Sequence, residues 1–182
     1  MFGVVAWSAV LRQHPSWPWR VVVLAHPRSG SNSLVEILGL HRSVSILNEP
    51  FNEHFASWDP SNSDYAALLR EGRSFESVLD ELFDEFTGLK VLSYQLNDDA
   101  LTKLVNRSGV KIVALRRRNL LQTAISQVLA ESTGLWKTWD ADRRLEDYYR
   151  GLPALDPTLI SARMEWCRSE VSRVARAWDQ TA

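Results

Sequence analysis

The chain has very little cysteine and histidine, and it lacks a long apolar run. The single cysteine, Cys167, excludes an internal disulfide and fits a reducing compartment such as the cytoplasm. The four histidines show no paired ligand spacing, so we expect no metal site. No apolar run approaches the roughly 18 residues that a membrane-spanning helix needs. We therefore expect no transmembrane segment.

A large excess of one charge is also missing. Lysine and arginine total 21, aspartate and glutamate total 22, and the net charge is −1. Because proteins that bind nucleic acid usually carry a strong basic excess, we expect no nucleic-acid partner. The apolar segment Met1–Leu11 lacks a basic region, so we interpret it as an ordered lead-in and not a signal peptide. The 182 residues are predicted to form one cytoplasmic domain.

Short apolar segments alternate with helical patterns along the chain. Their spacing predicts strands at Val21–Ala25, Val44–Leu47, Leu89–Tyr94 and Val110–Leu115. It predicts helices at Ser31–Leu40, at Asp64–Arg70, from a cap at Ser74 to a stop at Gly88, from Leu120 to about Ser132, and at about Thr158–Trp178. Ile37 and Leu121 are predicted to lie on buried faces of their helices. This alternation is typical of an α/β fold with a mostly parallel sheet flanked by helices.

The segment after the first predicted strand has the composition of an anion-binding loop. The apolar strand stops at Pro27, and a helix start follows after a short polar loop. The N–H groups of a helix start bind phosphate, a glycine allows close approach, and serine hydroxyls and an arginine add donors. We predict a phosphate loop formed by Arg28, Ser29, Gly30, Ser31, Asn32 and Ser33. The alternative is an ordinary turn between a strand and a helix.

A second basic segment follows the strand at Val110–Leu115. Arg116, Arg117 and Arg118 come directly after it, and Asn119 is a good helix N-cap. Ser126 lies two turns into that helix, where its hydroxyl and the arginine fork could bind one phosphate. The alternative is a solvated basic cluster. In a parallel sheet, ligands bind beyond the carboxyl ends of the strands, so the two segments predict one ligand with two phosphate-type groups.

Together these segments resemble the PAPS-dependent sulfotransferases, in particular the bacterial trehalose 2-sulfotransferase-like and carbohydrate sulfotransferase branch. Pro27–Leu34 is similar to the 5′-phosphosulfate loop of that family, and Arg118-Asn119 followed by Ser126 is similar to its 3′-phosphate motif. Three further segments, covering the chain as far as Trp136, are similar in the same order: Asn48–Phe51 to the Glu-Pro element, Gly88–Gln95 to the Gly-x-Lys strand, and Ser132–Trp136 to the Thr-x-x-Trp stretch.

The resemblance implies a three-layer, P-loop-like fold and a defined reaction. The donor would be 3′-phosphoadenosine 5′-phosphosulfate (PAPS), and a sulfuryl group would move to an acceptor hydroxyl with release of adenosine 3′,5′-bisphosphate (PAP). No metal is expected. Arg28 and the loop amides would stabilise the leaving phosphate, and Glu49 is the candidate general base. Glu53 and His54 are rival bases.

The acceptor is defined mainly by the resemblance, which implies a carbohydrate or glycolipid hydroxyl. Several aromatic residues in the presumed acceptor half suit sugar faces or lipid groups, although aromatic rings also build cores: Trp58, Trp136, Trp139, Tyr148 and Tyr149. Lys90 could reach the acceptor or the sulfonate, or its stem could cover apolar surface. His26 is predicted to pack beside the loop.

The resemblance also has a gap at its end. Members of the family usually continue beyond the last helix into a further strand and a tail over the nucleotide, whereas this sequence ends at Ala182. We therefore expect a domain that lacks the usual C-terminal part. Two alternatives keep the fold: a non-catalytic PAP- or nucleotide-binding module, or a truncated inactive homologue. A P-loop phosphotransferase is disfavoured because the Gly-Lys-Ser/Thr element is missing.

Overall fold

A computed structural model describes residues 19–53, 64–134, 136, 152 and 154–179. The described elements follow one another as β1 (Arg20–Ala25), α1 (Ser31–Gly39), β2 (Ile46–Asn48), α2 (Tyr65–Arg70), α3 (Phe75–Glu85), β3 (Gly88–Leu92), a 3₁₀ turn (Ser93–Gln95), α4 (Asp98–Val105), β4 (Val110–Leu115), α5 (Leu120–Thr133) and α6 (Pro157–Asp179). Strands and helices alternate, which confirms the predicted α/β class.

The four strands form one sheet in the order β2-β3-β1-β4, and every pairing is parallel. At the end of β1, Ala25 pairs with Leu92 of β3 and with Leu115 of β4. The carboxyl ends of the strands therefore meet at one edge, which we call the C-terminal edge. The valine-rich strand β1 lies in the centre, as expected for a β-branched segment buried on both faces.

Helices cover both faces of this sheet. Val22 and Leu24 face a large core that includes Leu79 of α3 and Leu101 of α4. The alternate residues of β1 face a smaller cluster, completed by α1, that contains Val23, Ala25, Leu92, Leu34, Val35 and Leu38. The strand side chains alternate between two cores, so the fold has three layers, as predicted.

Several predicted helix ends are confirmed by their capping contacts, and one is wrong. The Ser74 hydroxyl accepts from the Ser77 amide, and the Asn119 side chain accepts from the Gln122 amide. Gly88 does not stop a helix: α3 ends at Glu85, and Gly88 is the first residue of β3. A Cβ atom at Gly88 would lie 2.9 Å from the Val21 carbonyl oxygen, so a glycine is needed there by the close approach of β1.

Three further sequence predictions differ from the structure. Helix α4 was not predicted, although the sequence carried a signal for it in Asn97, whose side chain caps the helix at the Ala100 amide. Tyr94 lies in the 3₁₀ turn and not in a strand, since the Gln95 side chain accepts from the Leu92 amide and begins the turn. The predicted strand at Val44–Leu47 is Ile46–Asn48.

The predicted buried faces of α1 and α5 are also shifted. Ile37 is 65% exposed and Leu121 is 49% exposed. Helix α1 packs through Leu34, Val35 and Leu38 instead, which turns Ile37 away from the sheet. In α1, spacing alone does not separate these solutions, because the two overlapping stripes are equally apolar. In α5 the buried face includes Thr123 and Gln127, which hydrophobic spacing does not select.

The large core gives a direct stability prediction. Leu79 is fully buried in the large core. We expect Leu79→Ala to lower the free energy of unfolding by about 3 kcal/mol, through lost burial and a residual cavity. Urea titration measures this, with Ile37→Ala at the exposed position of α1 as the control. Equal losses for the two variants would contradict the described packing of α1 and α3.

Candidate functional site

The loop between β1 and α1 leaves its amides available for a ligand. The Ser29 amide donates to the His26 carbonyl at 3.2 Å, and the first helical bond runs from the Leu34 amide to the Gly30 carbonyl. Gly30 is in the left-handed region at φ 92°, and no side chain caps the helix. The N–H groups of the first turn therefore have no partner within the helix. A Cβ on Gly30 would meet nothing within 4 Å, so the space beside the loop is open.

A buried hydroxyl in the same loop has no protein partner. Among the described residues, Ser29 Oγ is buried and makes no hydrogen bond. Buried polar atoms are nearly always paired, and each exception needs an explanation. An anion bound at the start of α1 is one acceptor that would satisfy this hydroxyl.

Arg28 links the two segments that the sequence singled out. Its Nε donates to Ser126 Oγ at 2.8 Å, and its Nη1 donates to the Trp136 carbonyl at 2.5 Å. The phosphate loop and α5 are thus in direct contact. Because Ser126 accepts through its oxygen, its hydroxyl hydrogen can be donated to a further acceptor. Trp136 itself is half-exposed.

The basic segment after β4 begins beside the phosphate loop. Leu115, the last residue of β4, pairs with Ala25, the last residue of β1. Arg118 is exposed and directly precedes Asn119, whose side chain caps α5. The structure therefore brings the start of this segment to the strand tip that carries the loop, and it leaves the Arg118 side chain on the surface.

Glu49 lies in a tightly fixed turn after β2. Its amide donates to the Lys90 carbonyl at 2.8 Å, and its carbonyl accepts from the Asn52 amide at 3.0 Å. Phe51 is buried two residues later and packs against Phe75, with ring centroids 5.4 Å apart. The turn is therefore anchored in the large core, and it holds Glu49 at the C-terminal edge.

Both carboxylate oxygens of Glu49 are engaged. Lys90 Nζ lies 2.5 Å from Oε1, while the side-chain amides of Asn52 and Gln95 donate to Oε2 at 3.0 and 3.1 Å. The Lys90 side chain is 2% exposed and that of Glu49 is 15% exposed. Lys90 Nζ also donates to Asn32 Oδ1 at 2.5 Å. Lys90 thus connects the phosphate loop to Glu49, and its charge lies inside the site.

Backbone strain in the described part of the chain coincides with the two predicted catalytic residues. Arg28 at φ 60° and Glu49 at φ 56° are the non-glycine residues with positive φ there. Each such residue costs on the order of 1–2 kcal/mol. Strain of this kind persists where surrounding contacts fix it, and it is common at ligand sites. For both residues those contacts are the side-chain bonds described above.

His26 packs behind the loop. Its ring meets the Trp166 ring edge-on, with centroids 4.9 Å apart, and its Nδ1 lies 2.8 Å from the Pro27 carbonyl. Burial lowers the pKa of His26, and this effect exceeds the opposing contributions of the Pro27 carbonyl and of Glu170. His26 therefore supports the loop as a neutral ring, in line with the predicted packing role.

Sequence reasoning missed a contact from α6 that fixes the 3₁₀ turn. Ser93 Oγ donates to Glu170 Oε2 at 2.7 Å, and Arg173 donates to the carbonyls of Ser93 and Leu96. Glu170 is buried, and Arg173 also pairs with it at 3.0 Å. The turn carries Gln95, so α6 holds the residue that orients Glu49. A Glu three residues before an Arg on one helix face was the available signal, but such pairs are usually solvated.

Of the rival bases and the candidate acceptor-binding aromatic residues, only some lie in the part of the chain that the structure describes. Glu53 is described and exposed. The remaining candidates lie outside the described residues: His54, Trp58, Trp139, Tyr148 and Tyr149.

In the ranges 19–53, 64–134 and 154–179, no group of three or more His, Cys, Asp or Glu residues is arranged to hold a metal ion. None of the described helices combines the length and the apolar character needed to cross a bilayer.

Comparison with known protein families gives no match, and comparison with characterised proteins gives no significant match either.

Proposed function

We propose that this protein transfers a sulfuryl group from PAPS to a hydroxyl of a carbohydrate or glycolipid. The single observation that carries the proposal is the bond from Arg28 to Ser126, because it joins two segments that were each predicted to bind phosphate. A ligand with phosphate-type groups at both ends would bind along this junction. The unpaired Ser29 hydroxyl and the uncapped start of α1 support the same ligand class.

The strand order supports a division of the C-terminal edge into two halves. Strands β1 and β4 are neighbours, and the loops that follow them carry Arg28 and Arg118. Strands β3 and β2 lie on the other side of β1; β3 contains Lys90, and the turn after β2 contains Glu49. In the proposal the donor lies across the β1 and β4 tips, and the acceptor approaches from the β3 and β2 side. Glu49 then lies on the acceptor side of the sulfur atom.

The proposed reaction is an in-line displacement at sulfur. The acceptor oxygen forms the new S–O bond, and the bond between sulfur and the bridging 5′-phosphate oxygen breaks, so PAP leaves with that electron pair. Arg28, Lys90 and the amides of α1 stabilise the negative charge on the leaving phosphate and the transferring group. The acceptor proton passes to Glu49.

The contacts of Glu49 favour one of its oxygens as the proton acceptor. Oε2 already accepts from Asn52 and Gln95, so both of its lone pairs are used. Oε1 accepts from Lys90 Nζ and retains a second lone pair. In the proposal the acceptor proton therefore goes to Oε1, beside Lys90, while Asn52 and Gln95 set the plane of the carboxylate.

Binding of PAP tests the donor site. We expect Arg118→Ala to weaken PAP binding by about 10- to 100-fold, since a hydrogen bond to a charged group contributes about 1.5–3 kcal/mol. Calorimetry without magnesium measures this, with Arg42→Ala, an exposed arginine after α1, as the matched control. If Arg118→Ala binds PAP with wild-type affinity, the assignment of Arg118 to the donor site is wrong.

The same assay separates the alternatives. PAP binding together with transfer of labelled sulfate from PAPS to a sugar panel supports the enzyme. PAP binding without transfer to any tested acceptor supports a non-catalytic module. Binding of ATP that depends on magnesium, with no binding of PAP, would support a phosphotransferase instead.

A further inference from the structure

We propose that Tyr94 forms the acceptor-binding surface of this site and stacks against the ring of a sugar. The inference rests on the proposed function, because it identifies where the hydroxyl-bearing substrate binds. Tyr94 follows β3 directly, on the half of the C-terminal edge that also carries Glu49. Its side chain is 46% exposed although it is a large aromatic ring. An exposed aromatic ring at this position presents an apolar face and a polar hydroxyl to a substrate.

The ring is held from behind. Tyr94 packs against Trp166 of α6, with centroids 5.8 Å apart and the planes tilted by 53°. The Arg163 guanidinium lies 5.1 Å from the centre of the Trp166 ring and is fixed by two bonds to Glu131 of α5. The platform under Tyr94 is therefore tied to two helices.

The backbone of Tyr94 is fixed as well. The bonds from α6 to the carbonyls of Ser93 and Leu96 lie on either side of it, and the buried Glu170 accepts from the Ser93 hydroxyl. A ring that is ordered before the ligand arrives loses little conformational entropy when the ligand binds. Tyr94 thus has the rigidity that a stacking surface requires.

The residue that follows Tyr94 in the chain contacts the candidate base. The neighbouring residue, Gln95, donates to Glu49 Oε2. Burial and then the charge of Glu49 raise the pKa of Tyr94 by more than a side-chain hydrogen bond with Gln95 lowers it, so the hydroxyl keeps its proton. A ring face next to a hydroxyl donor suits a sugar, which has an apolar C–H face and hydroxyl acceptors at its rim.

Sugar binding can be measured without any transfer reaction. Saturation-transfer NMR with α,α-trehalose and methyl α-glucopyranoside should give signals with the wild-type chain. We expect Tyr94→Ala to weaken binding at least about tenfold, and Tyr94→Phe to weaken it by less because the ring remains. Trp19→Ala is the matched control: Trp19 is 52% exposed but precedes β1 at the opposite edge, and it should leave the signals unchanged.

The outcomes separate this inference from the proposed function. Calorimetry with PAP on the same variants reports the donor site and the integrity of the fold, and Tyr94→Ala should bind PAP as the wild type does. Unchanged sugar signals in Tyr94→Ala, or no sugar signal in the wild type, would overturn the role of Tyr94 and leave the donor site intact. If the wild-type chain does not bind PAP, the proposed sulfotransferase function is wrong.

Discussion

Glu49→Gln is expected to lower kcat for sulfuryl transfer by about 10²- to 10⁴-fold, the usual contribution of a general base. The amide can still accept from Lys90, Asn52 or Gln95, but it cannot take the acceptor proton. PAP affinity should stay near that of the wild type, because Glu49 lies on the half of the C-terminal edge away from the basic segment that follows β4. Labelled-sulfate transfer under saturating donor and acceptor measures kcat, and calorimetry measures PAP affinity.

Glu53→Gln is the matched control for this experiment. Glu53 lies in the same turn but is exposed, and its neutralisation should leave kcat unchanged. If Glu49→Gln keeps wild-type turnover, the base is a different residue, and a loss of turnover in Glu53→Gln or in a His54 variant would identify it. Parallel loss of PAP binding in Glu49→Gln would point to a disturbed site and not to a missing base.

The second large effect is on stability. In the Lys90–Glu49 ion pair, the Lys90 side chain is more deeply buried than that of Glu49. Removing Glu49 leaves the charge of Lys90 without its carboxylate at a position that is 2% exposed. We expect Glu49→Leu to lower the free energy of unfolding by about 3–5 kcal/mol. Lys90→Met should cost less, about 1–3 kcal/mol. In that variant Asn52 and Gln95 still donate to the carboxylate, and Glu49 has more contact with water.

A double-mutant cycle isolates the ion pair from these separate losses. The variant Lys90→Met/Glu49→Leu contains neither charge, so its free energy of unfolding should fall by less than the sum of the single changes. Urea unfolding of the four proteins gives the coupling energy. Additive losses would mean that the two charges do not interact, and a greater cost for Lys90→Met would mean that Glu49 is the more deeply buried partner.

The parts of the fold that local sequence patterns control could be predicted. The valine run of β1, the cap residues Ser74 and Asn119, and the alternation of strands and helices each depend on neighbouring residues. The position of the polar loop between β1 and α1 followed from the same reasoning, because such a loop joins the carboxyl end of a parallel strand to the next helix. These features require no knowledge of distant contacts.

The contacts that orient the candidate site depend on residues far apart in the sequence, and they could not be predicted. The partner of Arg28 is Ser126, 98 positions away, and the partner of Ser93 is Glu170, 77 positions away. Lysine is usually found on protein surfaces. Lys90 is nevertheless buried, because the turn at Glu49 brings a carboxylate to its ammonium group. Only the assembled sheet places such pairs side by side.

The dependence of the 3₁₀ turn on α6 has a consequence for the order in which the molecule matures. A nascent chain that has left the ribosome only as far as residue 133 contains the segments that form the phosphate loop and α5, including Arg28 and Ser126. It does not yet contain Glu170 or Arg173. The turn that holds Gln95 against Glu49 is therefore completed last during synthesis, when residues 157–179 emerge and fold onto it.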